Sequence, residues 1–529
     1  MNHKFDVAIM GGGLGGNMLA RQLRRSCPNL SVAVFERSRE PSRKVGESTV
    51  EISSNYLTRR LGLSTYLYTE HLPKNGLRFF FDNAARDAEL PSMAEIGSRG
   101  FPLTPSFQLD RARLERDLAA FNRADGVAMF PGTRVRNLNL GDGGQGALHT
   151  FSAECDGQTA TVRARWVIDA SGRASLVAKL KGLRVNDVGH ETAAAWGRMQ
   201  GVADIDALST PVAWRERVRH TSRRLSTNHF CYPGYWIWLI PLREGITSVG
   251  VVCTRNKWRD ELRKPEGLLA FIREHRGVGS LLKDASWLDV GSYGRLAYTT
   301  KQYFSRQRWA VIGDAASFTD PFYSPGIDFL ALENDFVCDL IARDFAGEIE
   351  AFEQRLPLYD EFMAFRYEAV LRLYRDLYPT LGSYELFRLK FDFDLRCYYN
   401  LWLDMYMRDD HLRPKALADQ LRRKEYILQA ISNFAGLFRK LAHELHSAGR
   451  FFTGNTGSTA DHYDHSLESL AFIEKIGTQR TRRSITRSTL EIFSDVHQRA
   501  LDLLSQTEST PTVRKPLAFD EFVADAPLA

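Results

Sequence analysis

The chain runs to 529 residues, is 44% hydrophobic and 25% charged, and sets 70 basic against 64 acidic side chains for a formal net charge of +6. That length allows about three domains or one interleaved body, and the composition is ordinary globular usage, which excludes a disordered or collagen-like chain. The basic excess is too thin for a nucleic-acid binder, which gathers its charge into a stripe; the densest run, Arg480–Arg483 with Arg487, reads as a solvated helix face.

No two of the six cysteines stand at a CxxC spacing, so neither a metal knuckle nor a redox pair is expected, and scattered thiols suit a reducing cytoplasm. The ligand-rich cluster Asp461-His462-Tyr463-Asp464-His465 lies in a polar stretch, and no metal site is assigned to it. The N-terminus enters an apolar run at Phe5–Met10 without a charged-then-apolar leader. No apolar run approaches the roughly 20 residues of a membrane helix. The expectation is a soluble cytoplasmic protein with neither membrane nor nucleic-acid partners.

In chain order, Phe5–Met10 predicts a buried strand, Gly11–Gly16 a turn, Leu14–Ser26 a helix and Ser31–Glu36 a second strand. Gln108–Asn122 reads as an amphipathic helix. Residues 127–170 alternate as short strands and end in Trp166–Ala170; further strands follow over 190–300, including Tyr235–Pro241 and Ile246–Cys253. Trp309–Gly313 is a last buried strand. From Gly326 the pattern is helical to about Gln506, and a loosely packed tail follows from Thr507.

The opening strand, turn, helix and strand carry GxGxxG at Gly11, Gly13 and Gly16. The first glycine makes the tight turn, the second admits a pyrophosphate to the backbone, and the third lets helix pack on strand. The helix N-terminus offers free N–H groups to the anion, and Glu36 is placed to accept from ribose hydroxyls. A second formal match, Gly141–Gly146, precedes a strand and not a helix, so it is read as a hairpin turn. One dinucleotide site remains, open on this ground to NAD or FAD.

Two later segments favour FAD. Val167-Ile168-Asp169-Ala170-Ser171-Gly172 and Val311-Ile312-Gly313-Asp314 each end a strand, and both resemble motifs of the FAD-binding aromatic hydroxylase superfamily. That resemblance implies an α/β fold: a Rossmann-type FAD-binding domain, an interleaved β-sheet substrate domain and a helical C-terminal region. The FAD-binding segments are expected at about 1–60, 105–180 and 295–340, the substrate sheet at about 61–104 and 181–294, the helical region at 341–510 and the tail at 511–529. It also implies that Asp314 reaches the ribityl chain. The residues expected at FAD are Gly11, Gly13, Leu14, Gly16, Glu36, Arg37, Glu47, Ser48, Arg111, Arg113, Asp169, Gly313, Asp314, Pro321, Gly326 and Ile327.

Three segments narrow the resemblance. Trp236-Ile237-Trp238-Leu239-Ile240-Pro241 matches WxWxIP, Leu72-Pro73-Lys74-Asn75-Gly76 precedes an aromatic strand, and Asp320-Pro321-Phe322-Tyr323-Ser324-Pro325-Gly326-Ile327 leads into a helix. Together they resemble the flavin-dependent halogenases of phenol and pyrrole type, and Gly46-Glu47-Ser48-Thr49 is similar to a segment of that family joining flavin and halide regions. The resemblance covers roughly residues 1–410. It implies Lys74 as the active-site amine, holding hypohalous acid as a haloamine or by hydrogen bond. It implies Trp236, Trp238 and Pro241 as a block against direct hydroxylation. It implies chloride or bromide at Ser324, Gly326 and Ile327. Tyr323 stands where tryptophan halogenases carry a glutamate, which points away from tryptophan as substrate. The partners implied are a separate flavin reductase supplying FADH2 and a small aromatic substrate, free or on an acyl or peptidyl carrier protein. The aromatic stretch Tyr374–Tyr406 is a candidate cap on the substrate site. A hydroxylating flavin monooxygenase is the nearest alternative; a flavin dehydrogenase and a catalytically silent flavoprotein are more distant ones.

Overall fold

The computed structural model describes residues 2–102, 104–142, 147–461 and 480–506. The cluster around His462 and the C-terminal tail fall outside them, as does part of the Gly141–Gly146 turn. The strands on either side of that turn, Arg134–Asn139 and His149–Cys155, pair antiparallel, and no helix follows.

The apolar run at the N-terminus becomes strand Asn2–Met10, the centre of the first sheet. It pairs parallel with Val32–Glu36 on one side and with the long strand Gln158–Asp169 on the other. Ala128–Pro131 extends one edge, and the short strand Trp309–Val311 lies parallel to the end of Gln158–Asp169. Helix Leu14–Ser26 closes the βαβ unit and packs on helix Arg111–Ala124. Two of the expected boundaries that moved have local causes. Asp110 accepts from the amides of Ala112 and Arg113 and so starts its helix three residues later than the sequence suggests, while Ser106–Gln108 is a strand. Trp309–Val311 stops short because Gly313 takes a positive φ of 58°.

The second sheet has eight strands: Ser286–Tyr293, Thr192–Gln200, Ile246–Thr254, Tyr235–Pro241, Thr227–Tyr232, Leu77–Phe81, Ala94–Gly97 and Thr459–Ala460, in that spatial order. Both faces are covered, so its central strands are buried almost without a break rather than at alternate positions. Along Tyr235–Pro241, Trp236, Trp238 and Ile240 belong to the core shared with the first sheet, whereas Tyr235, Ile237 and Leu239 belong to a smaller core under helices Pro265–Arg273 and Arg276–Leu281. The last strand comes from the far end of the chain, so the C-terminal region is built into the sheet.

From Gly326 the chain is mostly helical. Helices Gly326–Ala346, Ile349–Arg372, Tyr384–Cys397, Lys424–Ser447 and Arg482–Ser505 dominate. Residues Tyr398–Leu403 widen into a π-helical turn. Of the arginine run, Arg482, Arg483 and Arg487 are exposed as expected, but Arg480 is buried. No helix among the described residues is long and apolar enough to cross a membrane.

Candidate active site

The glycines of the first turn divide their labour as the spacing implies. A Cβ on Gly11 would stand 2.2 Å from the Ala170 carbonyl oxygen, and one on Gly16 1.9 Å from that of Gly11. At Gly13, by contrast, the nearest atom would be Lys44 Nζ at 3.9 Å, and at Gly172 and Gly326 nothing lies within 4 Å. The backbone is thus pressed together where strand, turn and helix meet and open where a dinucleotide would lie. Gly13 caps helix Leu14–Ser26 with no side chain, leaving its first amides to an anion. Glu36 accepts from the Gly12 amide at 2.7 Å and can still face a ribose. Further along, the Asp314 side chain is open to the cleft yet flanked by protein. Lost solvation pushes its carboxyl up, and Arg173, Arg111, Arg184 and Lys44 pull it back down. Those four cations form a positive rim suited to the anionic cofactor.

Not every residue expected at FAD faces this cleft. Arg113 forms ion pairs with Glu70 at 2.6 Å and Glu244 at 2.5 Å, whereas Arg111 bonds the Val45 carbonyl at 2.7 Å and lies against Gly46. Of the two, Arg111 is the one at the cleft. Asp169 is fully buried, and its oxygens accept from the Ser171 and Val177 amides, so it holds the turn and helix after its strand. Arg37 is exposed. Leu14 is buried beneath the turn. Gly313 gives its amide to Glu333, a buried carboxyl that burial pushes up to about 8; an acid on the inner face of an apolar helix was the one hint of it.

Residues 46–49 form a strap from that cleft to Lys74. Glu47 is buried against Arg198 at 3.2 Å, with its own carboxyl pushed up by burial. The Glu47 carbonyl accepts from Leu109, Thr49 donates to and accepts from Phe107, and Ser48 bridges to Gln108. Strand Leu72–Lys74 pairs with the other edge of the same strand, Lys74 opposite Ser106. The strap thereby delivers two acceptors to one amine: Lys74 Nζ donates to Ser48 Oγ at 2.9 Å and to the Thr49 carbonyl at 2.6 Å. Ser48, expected at FAD, touches Lys74 directly. Lys74 is 1% exposed. Burial lowers its pKa to about 7, with Glu51 and Asp328 opposing.

Between strap and sheet stands an aromatic wall. Trp236 packs on Phe322 of the 320–326 loop at 5.1 Å, on His229 at 5.1 Å and on Trp238 at 5.6 Å. Trp238 fits over Gly250, where a Cβ would come within 2.4 Å of the ring. Trp236 Nε1 donates to Tyr378 Oη at 3.0 Å, and Tyr378 donates to Asp320 at 2.7 Å, which His190 also meets at 2.8 Å. Asp320 in turn accepts from the Phe322 amide. A tyrosine from the C-terminal region therefore locks the indole to the loop. Pro241 ends the tryptophan strand and is buried. Ser324, at φ 57°, spends its amide on the Pro321 carbonyl, so only its hydroxyl is left for a halide; Gly326 and Ile327 open a 21-residue helix whose first amides lack acceptors inside it.

Lys74 lines a cavity that is partly open to solvent. The sequence supplied Lys74, Tyr323 and the stretch that carries the rings of Tyr374, Phe391, Tyr398, Tyr399 and Trp402; the structure adds Glu51, Asp328, Arg366 and Asp394. The aromatic stretch does line the cavity, and the π-helical turn is what directs three of its rings inward, a distortion frequent at functional sites. Tyr323 donates to Asp394 at 2.8 Å, and Asp394 is also paired with Lys390. His229, behind Lys74, has its pKa lowered to about 3 by burial and by the lysine.

A family model described as "FAD binding domain" matches residues 4–329, more than half of the chain. The flavin-dependent halogenase chlA of Dictyostelium discoideum is 28% identical over 447 residues, spanning 78% of this chain and 72% of that protein. The 1H-pyrrole-2-carbonyl-peptidyl-carrier-protein chlorinase of Pseudomonas fluorescens is 24% identical, spanning 62% of this chain and 73% of that one. Among solved structures, the halogenase PltM in complex with phloroglucinol and FAD aligns with a TM-score of 0.64 at 17% identity, covering 94% of this chain and 96% of PltM. With the glycine cradle, the two sheets and these relatives in view, the chain belongs to the FAD-binding-domain family and, within it, to the flavin-dependent halogenases.

Proposed function

We propose that the chain is an FADH2-dependent halogenase that chlorinates or brominates an electron-rich ring of phenol or pyrrole type, with Lys74 delivering the halogen. The observation that carries this is the Lys74 amine, buried at the wall of an aromatic cavity and tied by a four-residue strap to the dinucleotide cleft. Bound FAD, reduced by a separate flavin reductase, would activate dioxygen, which oxidises the halide to hypohalous acid while the flavin returns to its oxidised form and the second oxygen atom leaves as water. The amides at Gly326 and Ile327 hold the halide with the helix dipole. Trp236, Trp238 and Phe322 keep the arene from the cleft and exclude water. Neutral Lys74 Nζ takes the halogen from hypohalous acid; its proton leaves with the hydroxyl as water, and the ring then takes the halogen and returns the amine. Tyr323 in place of an acid fits a ring that stabilises its own arenium cation. The pyrrole chlorinase above acts on a carrier-bound ring, and a carrier-bound substrate is compatible with this reading.

The test is product mass. Enzyme, flavin reductase, NADH, FAD and a panel of phenols and pyrroles, free and carrier-loaded, are incubated with chloride or with bromide. The expected product mass follows the halide. One added oxygen, whichever halide is present, would make the chain a hydroxylase.

A further inference from the structure

The cavity contains a cation that forms no ion pair among the described residues. Arg366, on helix Ile349–Arg372, is 2% exposed and lines the same cavity as Lys74. Among the described residues its guanidinium makes no hydrogen bond and no ion pair, and its Nε is a buried donor without an acceptor. Its guanidinium carbon lies over the Trp402 ring, 4.4 Å from the centroid, and over Phe329 at 5.5 Å. A cation–π contact of this kind supplies no hydrogen-bond acceptor, so it leaves the N–H donors of the fork unsatisfied.

The other charged groups of the cavity already have partners, although one oxygen each of Asp394 and Asp328 is left without a hydrogen bond. Asp394 is paired with Lys390 and accepts from Tyr323. Glu51 accepts from Tyr399 at 2.6 Å. Asp328 acts on Arg366 through space without forming an ion pair, gives one oxygen to the Ser53 amide at 2.9 Å, and is itself pushed up to about 7 by burial. It therefore neutralises Arg366 only in part. An always-charged group buried without partners is costly, and a ligand that supplies them recovers that cost.

We propose that Arg366 docks a carboxylate of the arene substrate, so that the cavity takes free aromatic acids. This rests on the halogenase reading above and names its substrate class. A guanidinium has donors only, in a fork that matches the two oxygens of a carboxylate. An ester or a carrier thioester presents no such pair, and a substrate whose carboxyl is tied up in that way leaves Arg366 unpaired.

The experiment uses the FAD-loaded enzyme with the hydroxybenzoates and pyrrole-2-carboxylate, each against its own methyl ester. Equilibrium binding is read by calorimetry, and bromination is read with flavin reductase present. At least one acid is expected to bind about 10–100-fold more tightly than its ester, the range of a charge-assisted pair. Arg366→Gln should bring the two together, and Arg366→Lys should restore part of the difference. Equal binding of acid and ester throughout, binding of neither, or an Arg366→Gln effect confined to the KM for bromide would overturn the proposal. Should the variants fail to fold, the acid–ester comparison in the unaltered enzyme decides alone. Bromination of a ring with no preference for the acid defeats the docking site only. Acid-selective binding without bromination of any ring defeats the halogenase reading and leaves the docking site standing.

Discussion

An amine that ordinarily titrates near 10.5 sits at about 7 when Lys74 is buried behind the strap. In the proposed mechanism that shift is what the reaction uses, because a neutral Nζ is then available near neutrality. The direction of the pH dependence follows. Capture of halogen needs the unprotonated amine, so kcat/KM for the arene should climb about tenfold per pH unit below 7 and level off above it. A lysine acting as a protonated donor gives the opposite limb, with activity lost as pH rises through 7. Lys74 itself was legible from its Leu-Pro-Lys segment. Its two acceptors were not: the Thr49 carbonyl is backbone, and Ser48 lies 26 residues away in sequence. Arg111 and Arg113 show the same limit. Both lead one helix, yet only the fold tells which turns to the cleft and which to Glu70.

At the scale of elements, period-two alternation put Trp236, Trp238 and Ile240 on one face of their strand, and they share one core. What pins them could not be read, because Tyr378 lies more than a hundred residues downstream and outside any motif. The link Trp236–Tyr378–Asp320 makes the wall and the 320–326 loop one unit. Trp236→Phe removes one hydrogen bond and part of the indole's packing, Tyr378→Phe removes two hydrogen bonds, and each should cost about 1–3 kcal/mol in thermal or urea unfolding. The double variant should cost less than the sum, since both changes break the same link. Each should also raise the share of FADH2 consumed without halogenated product, read as peroxide released per NADH oxidised. Additive costs with unchanged coupling would show that the link is incidental. The shift in the start of helix Arg111–Ala124 has a simple cause: helical periodicity runs through Asp110, whose side chain takes the amides of Ala112 and Arg113 and so caps the helix.

For the molecule as a whole, the first sheet and its cofactor cradle were legible because a βαβ unit with its glycines is local in sequence. The cavity was not legible as a whole, because its walls come from stretches far apart in the chain: Val50 and Glu51 just after the strap, Lys74, Thr104 and Ser106, the 320–326 loop and helices beyond 349. Strand Thr459–Ala460 fastens the C-terminal region to the sheet edge. Beside it, Glu95 is fully buried among Arg78, Arg223 and Arg217, at 2.5, 2.9 and 3.5 Å, and its carboxyl is held below the usual range chiefly by Arg78 and Arg223 against the pull of burial. Glu95→Gln strands those guanidiniums and should lower stability by about 3–5 kcal/mol in chemical denaturation, whereas a loss under 1 kcal/mol would mean the cluster is solvated. The central claim is that oxidant reaches the ring through Lys74 and not from the flavin directly. It is tested by comparing the enzyme with Lys74→Ala in one assay that follows NADH oxidation, bound FAD and brominated product together. The account predicts unchanged FAD binding and NADH oxidation with no brominated product from the variant; brominated product at the level of the unaltered enzyme would contradict it.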